Sequence, residues 1–137
     1  MHKRLCAIHG ATLIEVMGAV LIFMIGIAAL LGVFYASVGM AKRGQYVYTA
    51  YNIAKNHIEE LKSYGFTDLA DANETESVVD KNGVADASGE YIRTTTVTNP
   101  YNGDSSLTEI DVKVWYVLIG TRSTSPIEVT TAIFENG

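Results

Sequence analysis

Charge is absent from Val16 through Ala41, a run of 26 positions rich in Leu, Ile, Val, Met, Phe and Ala. At ~1.5 Å rise per residue, a helix of that length crosses the ~30 Å hydrocarbon core of a bilayer. Beyond the run the pattern changes character without losing its period. Val47, Ala50, Ala54, Ile58 and Leu61 recur at spacings of three, four, four and three, which is one buried stripe on a helix. Lys55, Asn56, Glu59, Glu60 and Lys62 fall mainly off that stripe. The two patterns together predict a single helix from about Ala11 to Ser63, apolar all round in its first half and amphipathic in its second. Gly44 is the expected place for a bend, and Gly65 the expected C-cap.

The remainder alternates instead. Thr67 to Gly89 is polar and acidic and reads as a surface connection, with one short strand at Ser77–Asp80. Glu90–Thr98 is rich in Thr and β-branched residues, and Asn99 to Asp104 supplies turn chemistry. Ile110, Val112, Val114, Tyr116 and Leu118 then mark one face of a long strand, with Glu109, Asp111, Lys113 and Trp115 on the other. After a loop at Gly120–Pro126, Ile127, Val129, Thr131 and Ile133 alternate again. Three antiparallel strands with one apolar face need a cover, and the Val47–Leu61 stripe is the available one. The fold class is therefore α+β: a long N-terminal helix packed on a small C-terminal antiparallel sheet.

Composition narrows this further. At 137 residues the chain accommodates one modest domain beside the apolar segment. The net charge is −5, and it becomes −7 without Lys3 and Arg4, since eight basic and fifteen acidic residues remain. No basic patch follows the start of the chain except Lys42-Arg43, so nucleic-acid binding lacks an electrostatic footing. Cys6 is the only cysteine, which excludes an internal disulfide.

Against that background Glu15 stands out, a carboxylate at the head of the uncharged run. At the centre of a spanning helix such a group costs about 2.5–3.5 kcal/mol on insertion scales, so it calls for a partner or a function. The preceding residues, Met1 to Gly10, include Lys3 and Arg4 and place the amino terminus in the cytoplasm by the positive-inside rule, although Lys42 and Arg43 on the far side weaken that assignment. A cleaved secretory signal competes as a reading, but its apolar stretch is usually shorter and a small-residue cleavage site should follow it. Here Lys-Arg-Gly follows a long run. Gly18, Gly26, Gly32 and Gly39 recur inside it, consistent either with close helix packing or with local loosening of the helix.

A basic leader ending in Gly10, then Ala11-Thr12-Leu13-Ile14-Glu15-Val16 and a long apolar helix, resembles the class III signal of type IV prepilins and pseudopilins. The family pattern usually has Phe where this chain has Ala11. The resemblance covers residues 1–40, under a third of the chain. It implies cleavage by a prepilin peptidase between Gly10 and Ala11, N-methylation of Ala11, and pairing of Glu15 with a neighbouring subunit's amino terminus. It further implies three segments: a leader over 1–10 that is removed, a transmembrane or filament-core helix half over 11–41, and an extracytoplasmic globular part over 42–137. The stretch from Ala54 to Phe66 is similar to the helix end of minor pilins and minor pseudopilins. The expected role is thus a minor pilin of a type IV pilus-like filament, with a type II secretion pseudopilin or a major pilin as alternatives. Its expected partners are the peptidase, other pilin subunits and an inner-membrane assembly platform. The bacterial inner membrane is the expected location before assembly, and a surface pilus or periplasmic pseudopilus afterwards. From another class, a single-pass anchor carrying a small binding domain would keep residues 1–10.

Other chemistry finds little support. His2, His9 and His57 are too scattered for a metal site, and His57 reads as a solvated residue on a helix flank. Asn102, Asp104, Glu109 and Asp111 could gather oxygens for calcium but lack a recognisable ligand spacing. Phe34, Tyr35, Tyr46, Tyr48 and Tyr51 raise electron conduction, although aromatics at these spacings are more often packing or surface residues. Asn73-Glu74-Thr75 matches a glycosylation sequon. No enzyme constellation is present, and neither a cofactor nor a metal is expected.

Overall fold

Unbroken helical periodicity across the apolar run and the amphipathic stripe yields one continuous element in the computed structural model, which describes residues 12–135. Helix α1 spans Leu13–Leu61 and continues through Gly44. A 3-10 helix follows at Phe66–Ala72, then strands β1 (Glu74–Val79), β2 (Tyr91–Thr98), β3 (Leu107–Leu118), β4 (Thr121–Arg122) and β5 (Ile127–Phe134). The chain divides into two compact units, Met1–Ala41 and Lys42–Gly137.

The described part of the first unit is helix alone. Every residue from Leu13 to Ala41 is exposed, including Leu21, Phe23, Ile25, Leu30 and Phe34. Its most apolar 18-residue stretch has a mean hydropathy of 2.7 with nothing buried, so this helix is long and apolar enough to cross a membrane. A helix apolar on all sides must be covered by lipid or by other protein.

The second unit has its own core. Ala50, Ile53, Ala54, Ile58 and Leu61 on α1 cluster with Val79, Tyr91, Ile110, Val112, Val114 and Tyr116 from the sheet and Leu69 from the 3-10 helix. Each fully buried Leu, Ile or Val side chain contributes about 1.5–3 kcal/mol relative to exposure, so this cluster holds α1 against the sheet. The long strand behaves as its alternation predicts. Ile110, Val112, Val114 and Tyr116 face inward, and Glu109, Asp111, Lys113 and Trp115 stay partly exposed. Strand β3 is central: β2 pairs along one edge from Thr98↔Glu109 to Tyr91↔Tyr116. Along the other edge, β5 pairs with Leu107–Val114 and β4 with Val117–Leu118. Every pairing is antiparallel.

Several expectations need correction. The stripe includes Ile53, 2% exposed, in place of Val47, which is 40% exposed. Position 53 follows Ala50 by three residues and precedes Ile58 by five, so the stripe swings toward it as the helix crosses the sheet. The helix ends at Leu61, two residues before Ser63. Gly65 is not a left-handed C-cap: its φ of −62° and ψ of 144° are extended, and it leads into the 3-10 helix. The helix closes through tighter bonds, with Ser63 N–H donating to the Glu60 carbonyl and Tyr64 N–H to that of Leu61. The polar connection after Thr67 is also more structured than its composition implies. It buries Leu69 and supplies β1, which begins at Glu74 and pairs with β2. The short strand expected at Ser77–Asp80 thus joins the three alternating strands in one sheet, starting earlier at Glu74, and the loop after Gly120 contributes β4.

Candidate functional site

The head of α1 is built by local hydrogen bonding. Thr12 precedes the first turn, and the Glu15 N–H donates to the Thr12 carbonyl at 3.0 Å and reaches Thr12 Oγ1 at 3.4 Å. Thr12-Leu13-Ile14-Glu15 has the S/T-x-x-E spacing of a capping box. That spacing offers a local role for this pair, with an acidic residue in the first turn where the helix dipole favours it. Glu15 itself is exposed, at the head of a helix whose exposed side chains are otherwise apolar. Gly10 and Ala11, the expected cleavage pair, lie outside the described residues, as do His2, Cys6, His9 and the rest of the leader.

The second unit brings together a polar group that spacing alone did not reveal. His57 is not on a solvated flank, because its side chain is only 11% exposed. Its Nδ1 lies 3.5 Å from Glu60 Oε2 and its Nε2 lies 3.7 Å from Glu74 Oε2. Neither ring nitrogen makes a hydrogen bond. Arg93 holds Glu74 in a two-point grip, Nε to Oε2 at 2.9 Å and Nη2 to Oε1 at 3.2 Å, and its Nη1 donates to the Gly83 carbonyl at 3.1 Å. Burial, followed by the Arg93 charge, lowers the His57 pKa below its ordinary 6.5. Burial pushes Glu74 upward, but Arg93, the Ser77 hydroxyl and the nearby His57 together outweigh it and leave the carboxyl below its ordinary 4.5. The cluster ties α1 to β1, β2 and the β1–β2 connection. No spacing signals this pair: the register sets Arg93 opposite Ser77 and Glu74 opposite Thr95, so the two meet only diagonally across β1 and β2.

A second cluster lies near the start of this unit. Tyr46 stacks on Tyr116 with ring centroids 5.7 Å apart and tilts against Tyr91 at 6.0 Å. Its hydroxyl donates to Glu90 Oε2 at 3.2 Å, and Arg43 Nε donates to the Tyr116 hydroxyl at 3.2 Å. Tyr46 is thus a packing residue, while Tyr48 and Tyr51 are exposed. On the outer face of the sheet, the Arg122 guanidinium sits 3.9 Å over the Trp115 ring and pairs with Glu76.

The calcium set is not gathered. Asp104 Oδ1 accepts bonds from the Ser106 N–H and hydroxyl, while Asp111 is engaged by Lys113 and Thr130. Among the described residues no group of three or more His, Cys, Asp or Glu side chains is placed to hold a metal ion. The sequon's Asn73 already uses both ends of its amide: Nδ2 donates to the Ala70 carbonyl, and Oδ1 accepts from the Val97 N–H.

These features define an α+β protein with one N-terminal helix of membrane-spanning length and a separate helix-on-sheet core. No protein-family model matches the chain, and neither the curated proteins nor the solved structures yield a match.

Proposed function

We propose that this protein is a structural subunit of a type IV pilus-like filament, a minor pilin. In this reading a prepilin peptidase cuts between Gly10 and Ala11, the new amine at Ala11 is methylated, and the subunit waits in the inner membrane before assembly. One observation carries the reading: a helix exposed and apolar on every side begins with a lone carboxylate, Glu15, and continues into an independently packed α+β unit. Buried in a helical bundle, an unpaired Glu15 is costly, whereas one facing a neighbour's amino terminus gains a charge-assisted partner. Such a pair sets axial register while apolar surfaces supply the packing. An assembly platform in the inner membrane and other pilin subunits are the partners this mechanism needs.

Intact-mass analysis of the protein from its native host tests the processing step. A chain starting at methylated Ala11 is expected, and an intact leader favours a retained single-pass anchor instead. The Glu15→Ala variant is expected to enter the membrane normally yet fall by about tenfold or more in filament fractions, because breaking a buried pair costs several times the 1.4 kcal/mol of each tenfold step. Wild-type incorporation of that variant counts against the pairing.

A further inference from the structure

Ile119 combines two properties that no contact within the second unit explains. It is 96% exposed, the most exposed large apolar side chain among the described residues. Its φ is +52°, and Gly120 after it has φ +73°, so both central residues of the two-residue β3–β4 hairpin are left-handed. That turn favours Asn-Gly or Asp-Gly, and a β-branched residue at positive φ is an outlier. A strained apolar tip that nothing among the described residues covers points to a partner of another kind.

The strand carrying the tip shows where it lies. At one end of the unit, Lys62 and Leu69 line a cleft with Ile133, whose β3 partner is Thr108. At the other end Arg43 bonds to the Tyr116 hydroxyl. Strand β3 therefore runs against α1 toward the end that holds Lys42 and Arg43, and Ile119 lies three residues past Tyr116, in the turn just beyond the end of β3 at Leu118. Lys42 is joined by one peptide bond to Ala41, the last residue of the uncharged run. The connection entering β2 carries Asp80, Lys81, Asp86 and Glu90 beside Tyr91, and taken with Lys42 and Arg43 these leave no net positive charge, which suits a neutral headgroup surface better than an anionic one.

We infer that the Ile119–Gly120 hairpin tip inserts into the bilayer interface. This rests on the reading of residues 16–41 as a membrane span. The contact would steady the folded unit over the membrane before the subunit leaves it, and extraction would then have to break it.

The test uses the full chain in phosphatidylcholine vesicles whose acyl chains carry bromine, which quenches tryptophan on contact. Trp115→Phe removes the native indole while keeping a ring beneath Arg122, and single probes are added as Ile119→Trp, Phe23→Trp and Phe134→Trp. Phe23 reports on the span, and Phe134, paired with Leu107 and 61% exposed, reports on the opposite end of the sheet. Loss of most of the emission is expected from the Phe23 and Ile119 probes, with little loss from the Phe134 probe. Equal quenching at Ile119 and Phe134, whether high or low, overturns the inference while leaving the span intact. An unquenched Phe23 probe overturns the membrane reading and the inference together. If the indole disturbs the turn, a nitroxide on Ile119→Cys in a Cys6→Ser background reads the same immersion: oxygen-accessible relaxation supports it, and water-like relaxation opposes it.

Discussion

Gly89 occupies a position that no larger residue fits. A Cβ added there would run into the backbone carbonyl of Val79, which cannot swing aside as a flexible side chain could. Gly89→Ala is therefore expected to destabilise the second unit by about 1–3 kcal/mol, the usual range for overpacking, as a shift in its urea midpoint. Thr95 carries the opposite expectation. It is 2% exposed, and its hydroxyl has no hydrogen-bond partner. Thr95→Val keeps the shape and removes an orphaned polar group, so a gain of about 1 kcal/mol in unfolding free energy is expected. Neither effect is legible in the sequence, where Gly89 reads as one more loop residue and Thr95 as one of four threonines in a strand. Both depend on what the chain brings against the residue from elsewhere.

At the scale of elements, α1 and β3 were legible because each repeats a simple period against a single partner. The alternation from Ile110 to Tyr116 survives intact, since a central strand covered on one face keeps its period of two. The stripe on α1 was legible except at its edges. Periodicity names a face only to within a residue, and here Tyr46, stacked on Tyr116, continues the covered face in place of its neighbour Val47. Ile53→Ala is accordingly expected to cost about 2–5 kcal/mol, as for other large-to-small core changes. Val47→Ala, at a largely solvated position, is expected to stay within about 0.5 kcal/mol. Denaturant titration of the two variants side by side checks the corrected stripe. The strand expected at Ser77–Asp80 is present as β1 but begins earlier, at Glu74, and the 3-10 helix was missed because a polar segment with one buried Leu69 leaves no period to detect.

At the scale of the whole molecule, the two units answer to different surroundings. Residues 13–41 bury nothing within the chain, whereas the second unit carries both a core and the His57–Glu74–Arg93 cluster. That cluster makes the unit's stability depend on pH. An unfolded chain protonates His57 near 6.5, while the folded unit resists protonation to lower pH, so the unfolded state binds more protons in that window and stability falls as pH falls. Glu74, also lowered, contributes stability that is present above 4.5 and is lost as pH drops through its lower folded value. Unfolding free energies measured from pH 7 to 3 are expected to decline in two stages. His57→Gln is expected to remove the upper stage and spare the lower one.

What the sequence determined alone was everything that depends on solvent preference along the chain: an apolar segment of spanning length, the α+β class, the inner face of β3 and the carboxylate that heads the helix. These follow from periodicity and from the cost of placing charge in hydrocarbon, both local properties of neighbouring residues. Tertiary structure decided which distant groups meet. It buried His57 between two carboxylates, set Arg93 against Glu74, replaced Val47 with Ile53 in the core, and carried a strained, uncovered Ile119 to the end of the unit that begins at Lys42. Such pairings depend on strand register and on the path of loops, and no spacing along a single strand or helix encodes them.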